Sequence, residues 1–385
     1  SIALLAAENG FKELVVPMAN VKEGSLASGI NVRGAADLSS LIHELNTGAS
    51  IEQEHLPIGE MLENAYINNT LDFKDVCGQE KAKRATMIAV AGFHNLLYIG
   101  PPGSGITMMA CRIPSILNCM TEEECLELTK IYSVMGMLDE DSLMLNRPFR
   151  APHQSITSHA LVGGGMIPKP GEITLAHKGV LFLDEIAEYK RDVIEDLRLP
   201  VQDKKITINR MSGQVILPAD FMLVLAANPC KCGYYPDRKH CRCTEADVEK
   251  YLGKIKGPIL DRVDICVGTS KPGLDDLKNR YGGISSADMR SFIAGARSIQ
   301  MNRFKNLDID FNSQMNRKQI EEFCKLEPRG ADSLNKAYEK LNLTARGYYM
   351  ILKVSRTIAD LEGSELILRN HVLEAIGYRN MYINN

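Results

Sequence analysis

The chain has no tryptophan, no long apolar run and almost no excess of either charge. Without 18 or more consecutive apolar residues, nothing in it reads as a membrane-spanning helix. No basic segment followed by an apolar one opens it, so no signal segment is expected within these residues. Its first residues, from Ser1, already read as the interior of a domain, so an upstream portion is expected. A net charge of -3 over 385 residues makes no general electrostatic case for nucleic acid, a membrane surface or an acidic partner. Any DNA contact must come from local basic loops. Ten cysteines in a chain this long do not read as a small secreted disulfide framework. They suit a reducing, cytoplasmic compartment, with some thiols buried and others available to a metal. The remaining composition, 45% hydrophobic and 24% charged, is that of a globular protein, and the length calls for two or three domains.

Residues 1–48 mix helical and strand-like pieces, with short strands at Leu14–Pro17 and Gly29–Val32, and read as the tail of an α/β domain. Residues 49–71 show weak periodicity and are expected to be a linker. From Asp72 the pattern changes. A helix over Glu80–Ala91 leads into an apolar strand, Asn95–Ile99, and two more apolar strands follow at Gly179–Leu183 and Phe221–Ala227. Short apolar strands alternating with helices predict a parallel sheet flanked by helices. Ligands gather outside the carboxyl ends of such strands, and all three strands end in a polar or glycine-rich element. Residues 286–385 read as helices alone, a separate helical domain reached through a linker at 271–285.

The first strand runs into Gly100-Pro101-Pro102-Gly103-Ser104-Gly105-Ile106-Thr107, followed by a helix expected over Met108–Arg112. Every fixed position of the phosphate-loop pattern G-x-x-x-x-G-K-[ST] is met except the lysine, which is Ile106. The glycines let backbone N–H groups turn toward phosphate, and Thr107 can offer a hydroxyl to Mg²⁺. A glycine turn with no ligand is the plainer alternative. A lysine in that position makes a charge-assisted hydrogen bond worth about 1.5–3 kcal/mol. Its loss predicts nucleotide affinity roughly 10- to 100-fold lower. Transition-state stabilisation should fall on the order of 100- to 1000-fold. Weak or absent hydrolysis is expected.

The second strand ends in Asp184-Glu185. Adjacent acids at a strand end suit two tasks, Asp184 anchoring Mg²⁺ and Glu185 orienting or deprotonating water. A solvated acidic turn is the alternative. The third strand ends at Asn228, whose amide could hold water or the γ-phosphate, although Asn-Pro is also a common turn starter. Arg262 could act in trans on a neighbouring subunit's nucleotide, or simply pair with Asp264.

Longer strings carry a resemblance. Asp72–Glu80, Arg147–His153, Gly163–Gly165, Pro170–Ile173, Asn228–Tyr235, Leu343–Arg346 and Arg356–Leu361 closely resemble the YifB/ComM family of Mg-chelatase-like AAA+ proteins. The broader relative is the magnesium chelatase ATPase subunit. The resemblance covers nearly the whole chain. It implies an AAA+ P-loop sheet over residues 72–270 with a C-terminal helical lid, preceded by the end of a Lon-like (S5-type) α/β domain. It implies a homo-hexameric ring binding ATP and Mg²⁺ at subunit interfaces. Gly100–Thr107 would be Walker A, Asp184 and Glu185 Walker B, Asn228 sensor 1, Arg262 the trans finger and Arg346 the sensor-2 arginine. Residues 150–175 resemble an insertion and residues 210–221 a hairpin, both aimed at a central pore. The competence members resemble branch-migration motors, so single-stranded or branched DNA is an implied partner. Ile106 departs from the family pattern.

Cys230-Lys231-Cys232 and Cys241-Arg242-Cys243 place four thiols within fourteen residues, which could close a tetrahedral Zn²⁺ site. Four reduced loop thiols are the alternative. His153, His159 and His177 lack ligand-like spacing. Arg147, Arg150, Lys169, Lys204, Lys205 and Arg210 are basic residues near the proposed pore elements and could meet phosphates. Three readings follow: an ATP-driven DNA motor, a ring subunit that holds nucleotide without hydrolysing it, and a chelatase-like subunit serving metal insertion into a porphyrin.

Overall fold

The computed structural model describes residues 2–24, 29–47, 57–138, 143–165, 168–210, 213–255, 259–278 and 283–379. The chain forms two compact units, one of residues 1–68 with 119–146 and the other of 69–118 with 147–385. The nucleotide-binding core expected over 72–270 is therefore interrupted by a segment that packs with the first unit.

In that unit, strands β1 (Glu13–Pro17) and β2 (Asn31–Ala35) pair in parallel, Leu14 facing Val32. Val32, Ile30 and Ala3 close a small core over them. A helix spans Ile58–Ile67, inside the stretch expected to be a linker. Its one buried residue, Leu62, packs with Met120, Cys125 and Leu128. The last two lie on the helix Glu122–Val134, which Thr121 and Glu124 start with a capping box. A single anchor met by a distant part of the chain leaves no apolar stripe to read in the sequence.

In the second unit the strands follow in chain order: β3 (Leu96–Ile99), β4 (Phe149–Arg150), β5 (Gly163–Gly164), β6 (Lys169–Pro170), β7 (Val180–Leu183), β8 (Lys205–Arg210), β9 (Gly213–Pro218), β10 (Met222–Ala227) and β11 (Ile265–Gly268). Five of them form one sheet, ordered β11-β3-β10-β7-β4 and parallel throughout. Residues of β3, β7 and β10 are buried on both faces, as near-continuous apolar runs demand. Alternate residues divide cleanly. Leu96, Tyr98, Phe182 and Val224 face one core, and Leu97, Leu181, Leu223 and Leu225 face the other. This five-stranded parallel sheet flanked by helices, with helices beyond it, is the arrangement of the AAA+ P-loop fold.

The C-terminal helices do not stand apart. Ile293, from the helix Ser286–Phe304, and Ile358, from the helix Ala345–Leu361, share one core with Ile88 and Leu96. The reason is the helix Glu80–Gly92, which has ten buried residues among its thirteen. A helix buried on most of its faces, Lys83 and Thr86 included, is covered on both sides, here by the sheet and by the C-terminal helices. Where a hairpin is expected over 210–221, the antiparallel pair instead begins at Lys205 and ends at Pro218, formed by β8 and β9, with Ile206 and Ile208 turned into the second core. Residues 150–175 carry a helix at Ser158–Val162, the short β5–β6 pair and a turn of helix at Glu172–Leu175. Leu161 and Ile173 fasten this segment to the same second core. Among the described residues no helix is long and apolar enough to cross a membrane.

Candidate nucleotide site

Strand β10 lies between β3 and β7, with Ala227 opposite Ile99 and Leu225 opposite Leu183. In a parallel sheet all carboxyl ends point the same way. The residues that follow these strands, Gly100, Asp184 and Asn228, therefore emerge at one edge, side by side.

The loop from Gly100 is shaped by close approach. The Gly100 amide donates to the Ala227 carbonyl at 3.1 Å, and a Cβ at Gly100 would lie 1.9 Å from Thr269 Oγ1. Gly103 and Gly105 stand at φ of +79° and +82°, in the left-handed region that glycine enters without penalty. Ser104 is buried and shares a 2.8 Å hydrogen bond with the Thr269 hydroxyl. Gln79 clamps the loop from outside, donating to the carbonyls of Ser104, at 3.0 Å, and Ser270. Pro101 and Pro102 fill the loop between its glycines. The helix expected over Met108–Arg112 runs over Ile106–Ala110 instead. Ile106, where the pattern calls for lysine, opens that helix and packs against the core.

Thr107 Oγ1 donates to Asp184 Oδ2 at 2.9 Å, so the last loop residue and the first acid already meet. A hydroxyl and a carboxylate brought to one point are hard oxygen donors of the kind Mg²⁺ takes, and the pair fits that ion. Asp184 Oδ1 accepts the Glu185 amide at 2.9 Å. Glu185 itself sits at φ +51°, unusual for a residue with a side chain and frequent at working sites. Burial, with Glu188 and Glu185 nearby, pushes the Tyr251 phenol up to about 12, against a hydrogen bond with Asn228 that pulls it down. Burial and the Asp184 charge likewise push Tyr189 up to about 12.

Arg262 and Arg346 are placed elsewhere. Both line a cavity of about 1000 Å³ together with Asn95, Phe221 and Asp264. Those three residues immediately precede β3, β10 and β11, so the cavity opens at the amino ends of the strands, opposite the glycine loop. Arg262 is buried and donates to Gln202 Oε1 at 2.9 Å. Burial, then the charges of Arg346 and Arg198, lower its pKa from the ordinary value. Asp264 is engaged with His94 at 3.6 Å and with the Asn95 amide at 2.9 Å.

The four cysteines Cys230, Cys232, Cys241 and Cys243 do converge, with their sulfurs all within 4.8 Å of one another. Soft thiolates in such a group can hold a metal. Of the basic residues, Arg147 donates to the carbonyls of Asn118 and Lys178, Arg150 forms a two-pronged pair with Glu172, and Lys204 pairs with Asp220. Lys169 and Lys205 are exposed, and the Arg210 side chain lies outside the described residues. His153 bonds Ser155, His159 the Gly163 carbonyl, and buried His177 accepts the Asp220 amide, three separate surroundings. Thr269, Gln79 and Tyr251 belong to the site and escape sequence reasoning. Thr269 carries a signal as the residue after a further apolar strand, and Gln79 lies within the Asp72–Glu80 string.

Residues 72–276 match the family model described as magnesium chelatase, subunit ChlI, and residues 283–379 match its C-terminal companion. The chain is 42% identical to the competence protein ComM of Haemophilus influenzae, over 98% of its own length and 74% of that protein's. It is 42% identical to YifB of Escherichia coli over 80% of its length and 60% of that protein's. A more distant similarity, 26%, joins 41% of it to 52% of the magnesium-chelatase 38 kDa subunit of Cereibacter sphaeroides. With the family model spanning more than half of its residues, the chain belongs to the magnesium chelatase subunit ChlI family and is an ATPase-type subunit of the ComM and YifB kind.

Proposed function

We propose that this chain is a ring subunit that binds ATP with Mg²⁺ between neighbouring copies, and that it hydrolyses the nucleotide poorly because residue 106 is isoleucine. The observation that carries the reading is the contact between Thr107 Oγ1 and Asp184 Oδ2 at the lip of the glycine loop. Backbone amides of residues 100–107 would cradle the phosphates. Thr107 and Asp184 would hold Mg²⁺, which neutralises charge on the phosphate oxygens. Glu185 and Asn228 stand where they can orient a water and accept its proton. Arg262 and Arg346, at the far end of the strands, cannot serve the same nucleotide as the loop of their own chain. Their position supports a ring of copies, six by the family's pattern, in which each chain's arginines face its neighbour's phosphates.

The family's competence members suggest single-stranded or branched DNA as what the ring acts on, with exposed Lys169 and Lys205 as phosphate contacts. Ile106 favours a second reading, a subunit that completes a ring and holds nucleotide without turning it over. Titration of the purified chain with a fluorescent ATP analogue, with and without Mg²⁺, tests the site. Binding should require Mg²⁺ and should weaken about tenfold or more in Asp184→Asn, which loses one charge-assisted contact. Equal binding by both proteins, or indifference to Mg²⁺, would remove Thr107 and Asp184 as the Mg²⁺ pair, and no binding by the parent would remove the nucleotide reading. Sedimentation in nucleotide tests the ring, and a monomer at every concentration is the result against it.

A further inference from the structure

We propose that Cys230, Cys232, Cys241 and Cys243 form a structural Zn²⁺ site that fastens the loop after β10 beside the glycine loop. The distances carry the case. Cys230 Sγ lies 3.4 Å from Cys232 Sγ and 3.8 Å from Cys241 Sγ, and Cys232 lies 3.6 Å from Cys241. A disulfide would need about 2.05 Å. Four sulfurs about 2.3 Å from a tetrahedral Zn²⁺ stand about 3.8 Å apart along each edge. The three separations among Cys230, Cys232 and Cys241 are close to that length, Cys243 lies within 4.8 Å of the others, and all four cysteines are free of disulfides.

The surroundings are those of a metal-bound turn. The Tyr235 amide donates to Cys230 Sγ at 3.4 Å, and the Gly233 amide to the Cys230 carbonyl at 2.9 Å. Gly233 takes φ +85°, which turns the chain back over Cys230 and Cys232. Cys230 and Cys241 are buried with Val248, Cys243 is partly buried and Cys232 is exposed, so four sulfurs this close can all be thiolates only with a cation among them. An all-thiolate tetrahedron suits Zn²⁺ in a closed, non-catalytic site.

The location gives the metal its purpose. Cys230 is two residues past Asn228. A Cβ at Gly233 would lie 2.6 Å from Pro102 Cδ and 3.8 Å from Asn228 Oδ1. The loop that the four sulfurs close therefore leans directly on the glycine loop. Its Tyr234 and Tyr235 also wall a cavity of about 750 Å³ that reaches Gly100 and Pro101. The ion holds in place a loop that no strand or helix supports between Asn228 and the helix Glu245–Gly253.

The test uses the whole chain purified without chelators, and its readouts do not depend on nucleotide. Elemental analysis should find about one zinc per chain. Replacement by Co²⁺ should produce the strong visible bands of a tetrahedral thiolate site. The double variant Cys232→Ser/Cys243→Ser should lose the metal, and trypsin should then cut after Lys231, Arg238 or Lys239 about tenfold faster, as expected for a loop released to local opening. Wild-type protein with under about a tenth of a zinc per chain, or with iron in its place, overturns the proposal. So does a double variant that keeps its zinc. Should the variant fail to fold, the wild-type zinc content and cobalt spectrum decide alone.

Discussion

Ile106→Lys puts back the one residue that the phosphate-loop pattern lacks. Ile106 is the first residue of a five-residue helix and is only partly buried, with its side chain against the core. Lysine can lay its methylenes along that surface and send its ammonium outward. A positive charge at a helix amino end costs about 0.3–1 kcal/mol while no anion is bound, so the variant should melt slightly below the parent. Once phosphate arrives, the new charge-assisted hydrogen bond contributes about 1.5–3 kcal/mol. That corresponds to nucleotide binding tightened about 10- to 100-fold. Hydrolysis should rise further, on the order of 100- to 1000-fold, because the charge on the transferring group grows in the transition state. The assay is steady-state phosphate release beside equilibrium binding, with Ile106→Ala as the control that removes the isoleucine and supplies no charge. Parent, alanine and lysine proteins that bind and hydrolyse alike would falsify the claim that a missing cation limits this site. A gain shared by alanine and lysine would point to the bulk of isoleucine instead.

Asp360 is buried between Arg356 and Arg303 and also accepts from the Asn312 amide at 2.7 Å. Asp360→Ala leaves two guanidinium groups facing each other in the core and should cost about 3–5 kcal/mol in denaturant unfolding; a loss under 1 kcal/mol would mean that water reaches the cluster. The Asp220 carboxyl is pushed up by burial, but Lys204 and Lys178 prevail and hold it below its ordinary value. A carboxyl depressed in the folded state contributes stability above its unfolded pKa of about 3.9, and that contribution is lost as the pH falls toward the folded value. Asp220→Asn should therefore be less stable than the parent at pH 7, and the gap should close below about pH 4. A gap that persists unchanged at pH 3 would show that the carboxylate charge is not what the two lysines recognise.

The strands, their parallel arrangement and the chemistry at their tips are legible in the sequence because each is a local pattern. A four- or five-residue apolar run between turn signals needs no distant partner to be recognised. Gly103 and Gly105 announce left-handed backbone by being glycine, and Asp184-Glu185 follows its strand directly. The cysteine spacing likewise announces a candidate cluster, although the 3.4–3.8 Å separations arise only once the loop has turned at Gly233.

Other features depend on which distant pieces meet. Ile58–Ile67 becomes a helix because Leu62 finds a surface on the chain beyond the glycine loop. The C-terminal helices merge with the sheet because the helix Glu80–Gly92 needs cover on both sides. Thr269 joins the phosphate loop because β11 pairs with β3. Arg262 and Arg346 gather at the amino ends of the strands, far from the loop they would be matched with by motif alone. Local sequence determined the chemical groups and the elements that carry them, since backbone preference and apolar periodicity act over a few residues. Tertiary packing decided which of those groups share a site, because burial of apolar faces, acting between residues far apart in the chain, sets where each strand end arrives.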